Sequence, residues 1–121
     1  MSEKIDDVQI ARYQRDGAVF LPGLFSDWVD TIGAGIERNM REPGPYASEN
    51  LAPGDAGRFF DDYCNWPRIP EFVEFIRQSP AARAAARLMG SSSAQLFHDH
   101  VLVKEPGTSK PTVFSWASVV A

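Results

Sequence analysis

The 121 residues are 44% hydrophobic and 23% charged, a composition typical of one soluble globular unit and not of a disordered or membrane-embedded chain. With 12 basic and 16 acidic residues the formal net charge is -4, so we expect no nucleic acid and no anionic membrane among the partners. The single cysteine, Cys64, excludes an internal disulfide, and no signal-peptide pattern opens the chain. Both observations favour a reducing, cytoplasmic location.

The first third of the chain is predicted to be mostly helical. Apolar residues at near-helical spacing over residues 5–15 predict a short amphipathic helix, and Gly17 is suited to end it. The apolar run 18–21 predicts a short buried strand. Ser26 is expected to cap a second helix that runs to about Met40.

Loop and helix signals alternate in the middle of the chain. Proline and glycine are concentrated over residues 42–57, which predicts a long loop that is either functional or mobile. Pro70 is expected to open a helix. The alanine-rich residues 81–89 predict another helix, which Gly90 ends.

A period of two marks residues 94–104, where β-branched and aromatic residues predict a substantial strand. Successive strand side chains point to opposite faces. His98, His100 and Lys104 are therefore expected on one face and Asp99 on the other. Two histidines and a carboxylate are suitable metal ligands, but this geometry prevents them from converging on one ion, so we expect no metal site there.

Two segments carry a resemblance to a known family: YQRDGAVFLPGLF at 13–25 and FHDHVLVKEPGT at 97–108. In this order, and with the helices between them, they resemble the N-terminal part of the phytanoyl-CoA dioxygenase family of non-haem iron, 2-oxoglutarate-dependent oxygenases. The resemblance covers residues 1–112. It implies an α+β fold in which N-terminal helices accompany the first strands of a double-stranded β-helix, a jelly-roll or cupin-like barrel, here incomplete.

The resemblance also implies a chemistry. Complete members use Fe(II) and 2-oxoglutarate to hydroxylate a small aliphatic or acyl substrate, and a Trp-His-x-Asp-like motif shortly after the Lys-x-Pro-Gly segment supplies two iron ligands. Here the chain continues with the uncharged residues 113–121, which contain no such motif. We expect a truncated fragment with no catalytic or metal-ligating residue, which alone binds neither cofactor and does not turn over.

Two interpretations of the apolar tail at 113–121 remain open. The tail is either a final strand that pairs with the strand over 94–104, or a divergent end that replaces the family sequence by truncation or a shifted reading frame. We favour the second, because the resemblance is close up to Thr112 and vanishes after it.

Four residues are candidates for the co-substrate site on the strength of the resemblance. His100 is placed where a strand residue lines the 2-oxoglutarate pocket, with His98 and Lys104 on the same face. Arg58 is placed where a cation meets a carboxylate of the co-substrate, and a guanidinium engages a carboxylate with two hydrogen bonds. Each has a structural alternative: half-buried histidines in a barrel wall, a solvated lysine at a strand end, and a surface arginine paired with the neighbouring aspartates 61 or 62.

Other conspicuous residues have weaker functional signals. Cys64 is expected to have a buried hydrophobic role. Four aromatic residues either line a substrate entrance or belong to the core: Phe59, Phe60, Tyr63 and Trp66. The alternative function for the whole chain is a non-catalytic α+β module that binds a partner or self-associates through exposed strands.

Overall fold

The computed structural model describes residues 5–112, and the prediction for the tail at 113–121 lies outside them. This part of the chain has an α+β fold, with four α-helices and a small antiparallel sheet that is not closed. The helices are α1 (Asp7–Asp16), α2 (Val29–Arg41), α3 (Pro70–Gln78) and α4 (Ala81–Met89). The strands are β1 (Ser48–Glu49), β2 (Phe59–Tyr63) and β3 (His100–Lys104).

Helix α1 begins and ends at local sequence signals. The Asp6 carboxylate accepts from Gln9 N at 2.7 Å, and Gln9 Oε1 accepts from Asp6 N at 2.9 Å, so two free donors at the start of the helix are satisfied reciprocally. Gly17 follows with φ 74°, a left-handed conformation that glycine adopts without steric cost. The helix predicted over residues 5–15 is confirmed.

Helix α2 begins later than predicted. Ser26 opens a short 3-10 turn, and its hydroxyl donates to the Gly23 carbonyl at 2.8 Å instead of accepting from the helix. The α-helix starts at Val29 without a side-chain cap. The expected cap at Ser26 is therefore wrong, whereas the expected end near Met40 lies within one residue of the observed end.

The two later helices confirm their predictions. Pro70 is the first residue of α3, and Gly90 follows α4 with φ 67°. Helix α4 also contacts α1, where the Gln14 side chain donates to the Leu88 carbonyl at 2.5 Å. No helix within residues 5–112 has the length and apolar character that a membrane span requires.

The strand predicted over residues 18–21 is absent from the described structure. This segment pairs with no strand among residues 5–112 and leads into a turn, in which Ser26 N donates to the Gly23 carbonyl at 3.1 Å. Phe20 is 83% exposed. Within the described part of the chain, no neighbouring strand is available to complete the backbone hydrogen bonds of residues 18–21. Their apolar composition alone is therefore not sufficient to form a strand.

The strand predicted over residues 94–104 is shorter than expected and begins at His100. Its partner β2 ends at Tyr63, which lies opposite His100. Cys64 then leaves the extended conformation with φ 55°. Cys64 N still donates to the Asp99 carbonyl at 3.1 Å, but residues 94–98 do not continue the ladder.

The sheet has the order β1-β2-β3, and both pairs are antiparallel. In β2 and β3, Tyr63 lies opposite His100, Asp61 opposite Leu102, and Phe59 opposite Lys104. Because side chains alternate along each strand, these pairs share one face of the sheet. The residues between them point to the opposite, core-facing side.

Helices cover only the core-facing side of the sheet. Phe60 of β2 and Val101 of β3 form a buried cluster with Ile69 and Phe72. The partly buried residues that pack against this cluster include three from α2: Ile32, Ile36 and Met40. Burial of these side chains on one side supplies the main hydrophobic stabilisation of the described fold.

A glycine and an ion pair join α2 to α3. A Cβ on Gly35 would lie 2.6 Å from Phe72 Cε1, so the absence of a side chain permits the close approach of the two helices. The Arg38 guanidinium donates to both carboxylate oxygens of Glu71, with Nη2 2.7 Å from Oε1. This planar, two-pronged contact fixes the helices in register.

Candidate functional site

The side of the sheet that faces away from the helices, here called the outer face, carries two of the four candidate residues for the co-substrate site, His100 and Lys104. Its two ends differ in chemistry. Leu102, at its centre, is 47% exposed. The outer face consists of Ser48, Phe59, Asp61, Tyr63, His100, Leu102 and Lys104.

Lys104 marks one end of the outer face, the lysine end. Its Nζ lies 5.1 Å from the centroid of the Phe59 ring and donates to the Lys110 carbonyl at 2.8 Å. The ammonium group therefore has an aromatic ring and a backbone oxygen as neighbours, and the side chain remains exposed. A cation held in this way is available to an anionic ligand.

The turn after β3 is held against the loop before β2. Ala56 N donates to the Gly107 carbonyl at 3.1 Å, and a Cβ on Gly57 would collide with the Pro106 carbonyl. The Asp55 carboxylate accepts from Ala52 N at 2.9 Å, and from the backbone N–H and the hydroxyl of Ser109, each at 3.2 Å. These hydrogen bonds, the one from Ala52 first, lower the pKa of Asp55.

The opposite end of the outer face carries Asp61, Tyr63 and His100, and Tyr46 from the loop before β1 stacks on it; these four residues are here called the aromatic end. The Tyr46 and Tyr63 rings are stacked, with centroids 4.9 Å apart and an interplanar angle of 18°. The His100 ring meets Tyr63 edge-on at 5.8 Å. Tyr46 is 50% exposed and Tyr63 39%, so aromatic surface remains open to a ligand.

Asp61 supplies the carboxylate of the aromatic end. Its Oδ2 accepts from Asn50 Nδ2 at 2.6 Å, and its Oδ1 lies 4.0 Å from His100 Nε2. Asn50 is in turn fixed by its backbone N–H, which donates to the Phe59 carbonyl at 2.8 Å. The carboxylate is thus oriented by a loop residue and not only by its own strand.

Arg58 does not lie on the outer face. Its guanidinium donates to Glu49 Oε1, with Nε at 2.8 Å, and its Cζ lies 5.3 Å from the centroid of the core-facing Phe60 ring. The structure therefore separates Arg58 from His100 and Lys104. The structural alternative for Arg58 is also corrected, because the paired carboxylate is Glu49 and not aspartate 61 or 62.

The histidine-aspartate-histidine segment is divided between a loop and a strand. His98 is exposed, precedes β3 and packs its ring edge-on to Phe97 at 4.9 Å, so the expected alternation of His98 with His100 along one strand is wrong. Asp99 Oδ1 accepts from Asn65 N at 2.9 Å and from Trp66 N at 3.1 Å. This carboxylate holds the turn after β2.

The described residues do not fit an iron site. Among residues 5–112 no three histidine, cysteine, aspartate or glutamate side chains are grouped to hold a metal ion. Asp99 Oδ2 is buried without a hydrogen-bond partner in this part of the chain. One free carboxylate oxygen is a single ligand, whereas a non-haem iron site of the facial type needs two histidines and a carboxylate.

A buried polar network under the sheet was not predicted from the sequence. Asp62 is fully buried on the core-facing side of β2, and its Oδ2 accepts from Asn39 Nδ2 at 2.8 Å, from Gly44 N at 2.7 Å and from Asn65 Nδ2. Burial alone raises the pKa of Asp62, but these hydrogen bonds and one from Tyr63 N outweigh it, so the pKa lies below its ordinary value.

The structure bears on the predictions for Cys64 and for the aromatic cluster. Cys64 is exposed, so its expected buried hydrophobic role is wrong; its positive φ places it at the outward turn after β2. The aromatic cluster is divided, because Phe59 and Phe60 are buried whereas Tyr63 is partly open on the outer face. The run of aromatic residues after Gly57 was the available signal for β2.

No protein-family model, no curated protein and no solved structure matches this chain. The candidate site is accordingly defined by the contacts of its own residues.

Proposed function

We propose that this chain is the N-terminal part of an Fe(II)/2-oxoglutarate-dependent dioxygenase of the phytanoyl-CoA dioxygenase type, which in its complete form hydroxylates a small aliphatic or acyl substrate. The observation that carries the proposal is that helices cover one side of the sheet only, whereas on the other side Phe59 alone of the strand residues is buried, at 3% exposure. Helices pack on the core-facing side, while His100 and Lys104 project from β3 on the exposed outer face. In this proposal the outer face becomes the inner wall of a jelly-roll barrel.

Lys104 is the proposed contact for 2-oxoglutarate. It is the cation of the outer face, and an ammonium group is a suitable partner for a carboxylate. His100 lies on the same face four residues earlier, roughly 13 Å away along the strand, and so lines the same cavity at a greater depth. Arg58 can contact the co-substrate only if its hydrogen bond to Glu49 breaks, in which Nε lies 2.8 Å from Oε1. His98 precedes β3, and no hydrogen bond or ion pair joins it to Lys104 within residues 5–112.

The iron ligands are not assigned to the described residues, which do not fit them. When bound, iron with 2-oxoglutarate supplies the oxidant for hydroxylation in the family that the sequence resembles. The contribution proposed for this chain is narrower: Lys104 holds an anion, and the covered sheet keeps that wall of the cavity rigid.

The test compares this chain with the protein encoded by its genomic continuation. We expect a downstream His-x-Asp, in this frame or a shifted one. The extended protein should bind Fe(II) and 2-oxoglutarate under anaerobic conditions and release succinate when oxygen is admitted, whereas the 121-residue chain should do neither. A genuine stop without that motif, or stoichiometric iron binding and succinate formation by the 121-residue chain, would overturn the proposal.

Variants of the extended protein test the role of Lys104. Lys104→Gln should raise the KM for 2-oxoglutarate at least tenfold, because the charge-assisted contact with the co-substrate carboxylate is lost. The matched control is Arg77→Gln, which removes an exposed cation from α3 and should leave the KM unchanged. An unchanged KM in Lys104→Gln would contradict the assignment of this residue.

One observation favours a second function, a non-catalytic module that self-associates. Strand β3 lies at the end of the strand order, so its outer edge is unpaired within the described residues. Such an edge is a template for another strand. Sedimentation over a range of protein concentrations should then show a reversible dimer, and a monomer at all concentrations would exclude this function.

A further inference from the structure

We propose that the aromatic end of the outer face binds a ligand carrying an ammonium group, quaternary or primary. The inference goes beyond the proposed function, since its ligand contacts are Tyr46, Tyr63 and Asp61, which that function does not use, and only His100 borders both sites. It holds whether or not 2-oxoglutarate binds to Lys104.

Tyr46, Tyr63 and His100 present an aromatic surface at this end of the sheet. Tyr46 and Tyr63 stack on each other over 4.9 Å, so the two rings form one rigid platform whose outward surface is half exposed. The edge of the His100 ring borders this platform at 5.8 Å from Tyr63. The negative faces of aromatic rings attract cations, and ligands with quaternary ammonium groups are recognised by such surfaces.

The carboxylate of Asp61 gives the aromatic end its negative charge. Asp61 lies two residues before Tyr63 on the same face and is oriented by the hydrogen bond from Asn50. Its nearest basic group among residues 5–112 is the His100 imidazole, at 4.0 Å, which carries a charge only when protonated. A carboxylate beside aromatic rings, with no lysine or arginine within 4.0 Å among residues 5–112, favours a cation and repels an anion.

The positions of the two permanent cations near this sheet support the same ligand class. Arg58 is engaged by Glu49 next to the core-facing Phe60, and Lys104 lies at the other end of β3, held by the Lys110 carbonyl. Neither neutralises Asp61 in the described structure. The outer face therefore has a cationic end and an anionic, aromatic end, roughly 13 Å apart along β3.

The first experiment titrates the 121-residue chain with choline and follows backbone amide shifts by NMR. We expect saturable shifts at Asp61, Tyr63 and His100. The neutral isostere 3,3-dimethyl-1-butanol has the same shape without the charge, and it should bind at least tenfold more weakly. Equal affinity for the two ligands, or no saturable response to choline, would overturn the proposal.

Variants separate the aromatic contribution from the charge. Tyr46→Ala should weaken choline binding roughly tenfold, whereas Tyr46→Phe, which keeps the ring, should bind as the original chain does. Asp61→Asn should weaken choline binding without changing the affinity for the neutral isostere. The matched control is Phe20→Ala, which removes an aromatic ring that is 83% exposed outside the sheet and should have no effect.

The same titrations distinguish this proposal from the function proposed above. Lys104→Gln should leave choline binding unchanged, because Lys104 belongs to the other end of the face. Choline binding by the 121-residue chain without any response to 2-oxoglutarate would support the aromatic end alone. Choline binding that is lost in Lys104→Gln and retained in Asp61→Asn would contradict the assignment of the ammonium group to the aromatic end.

Discussion

At the scale of single residues, Asp62 shows how a buried charge can be part of the fold. It is fully buried, and its carboxylate accepts hydrogen bonds from two asparagine side chains and two backbone N–H groups. Asn39 comes from α2, Gly44 from the following loop and Asn65 from the turn after β2. One carboxylate therefore ties three parts of the chain together.

We expect Asp62→Asn to lower the free energy of unfolding by about 3 kcal/mol. The carboxylate now accepts hydrogen bonds only, whereas the amide would place its own N–H₂ donor against the surrounding N–H groups and leave some of them without an acceptor. The measurement is urea unfolding followed by circular dichroism. The matched control, Glu74→Gln, removes an exposed carboxylate from α3 and should change the free energy of unfolding by less than about 0.5 kcal/mol. Similar stabilities for the two variants would refute the role assigned to Asp62.

The pH dependence of stability follows from two lowered pKa values. The pKa of Asp62 is lowered by hydrogen bonds that outweigh its burial, and the pKa of Glu71 is lowered chiefly by Arg38. A carboxyl group with a lower pKa in the folded state stabilises the fold above its unfolded pKa, about 4, and loses that contribution as pH falls through the folded value. The urea concentration at the midpoint of unfolding should therefore decrease as the pH falls below about 4. The decrease should be less steep in Asp62→Asn.

Sequence reasoning at this scale succeeded where the geometry was local. His100 and Lys104 share a face because strand side chains alternate, which the sequence alone predicts. Arg58 and Asp62 were beyond that reasoning, since Arg58 pairs with Glu49 of β1, and Asp62 with Asn39 of α2, 23 positions away. No spacing rule links those positions before the fold is known.

At the scale of elements, Gly35 and Gly33 of α2 offer a direct comparison. A Cβ on Gly35 would lie 2.6 Å from Phe72 Cε1 and 3.0 Å from Glu71 Cβ, whereas a Cβ on Gly33 would meet nothing within 4 Å. Gly35→Ala should cost about 1–3 kcal/mol through overpacking of α2 against α3. Gly33→Ala should stabilise the chain by roughly 0.5–1 kcal/mol through helix propensity.

Thermal unfolding of both alanine variants measures this difference. Opposite changes in Tm are the expected result, since the two substitutions are chemically identical and differ only in what the new methyl group meets. A higher Tm for Gly35→Ala would mean that α2 and α3 are further apart than the structure places them.

The helices could be predicted more reliably than the strands, for a physical reason. Helices α1, α3 and α4 carry their start and stop signals in adjacent residues, such as Asp6, Gly17 and Pro70. A strand depends on its neighbour, so the apolar run 18–21 remained unpaired while the sequence FFDDY became β2. Partner availability and not composition decided between them.

At the scale of the whole molecule, the two sides of β3 should respond differently to the same change. Val101 is 9% exposed within the core cluster, and Leu102 is 47% exposed on the outer face. Val101→Ser should cost about 2 kcal/mol or more, because it leaves a cavity and buries a hydroxyl. Leu102→Ser should change stability by less than about 0.5 kcal/mol.

Denaturant unfolding of the two serine variants tests the one-sided covering directly. If Leu102→Ser lowers the free energy of unfolding as much as Val101→Ser does, the outer face is covered in solution, either by a second copy or by a part of the chain outside residues 5–112.

The α+β class was correctly predicted from the sequence, and the described sheet is not closed. The jelly-roll barrel remains a proposal, because closure depends on strands beyond those described.

The connection between β2 and β3 determines when the sheet can assemble during synthesis. Residues 64–99 separate the two strands and contain α3 and α4, and such non-local pairing must await closure of the whole intervening loop. Synthesis on the ribosome proceeds at roughly 5–20 residues per second, so β3 is made on the order of seconds after β2. Helices, in contrast, form within microseconds. During that interval Phe59 and Phe60 of β2 lack the strand that pairs with them in the folded chain.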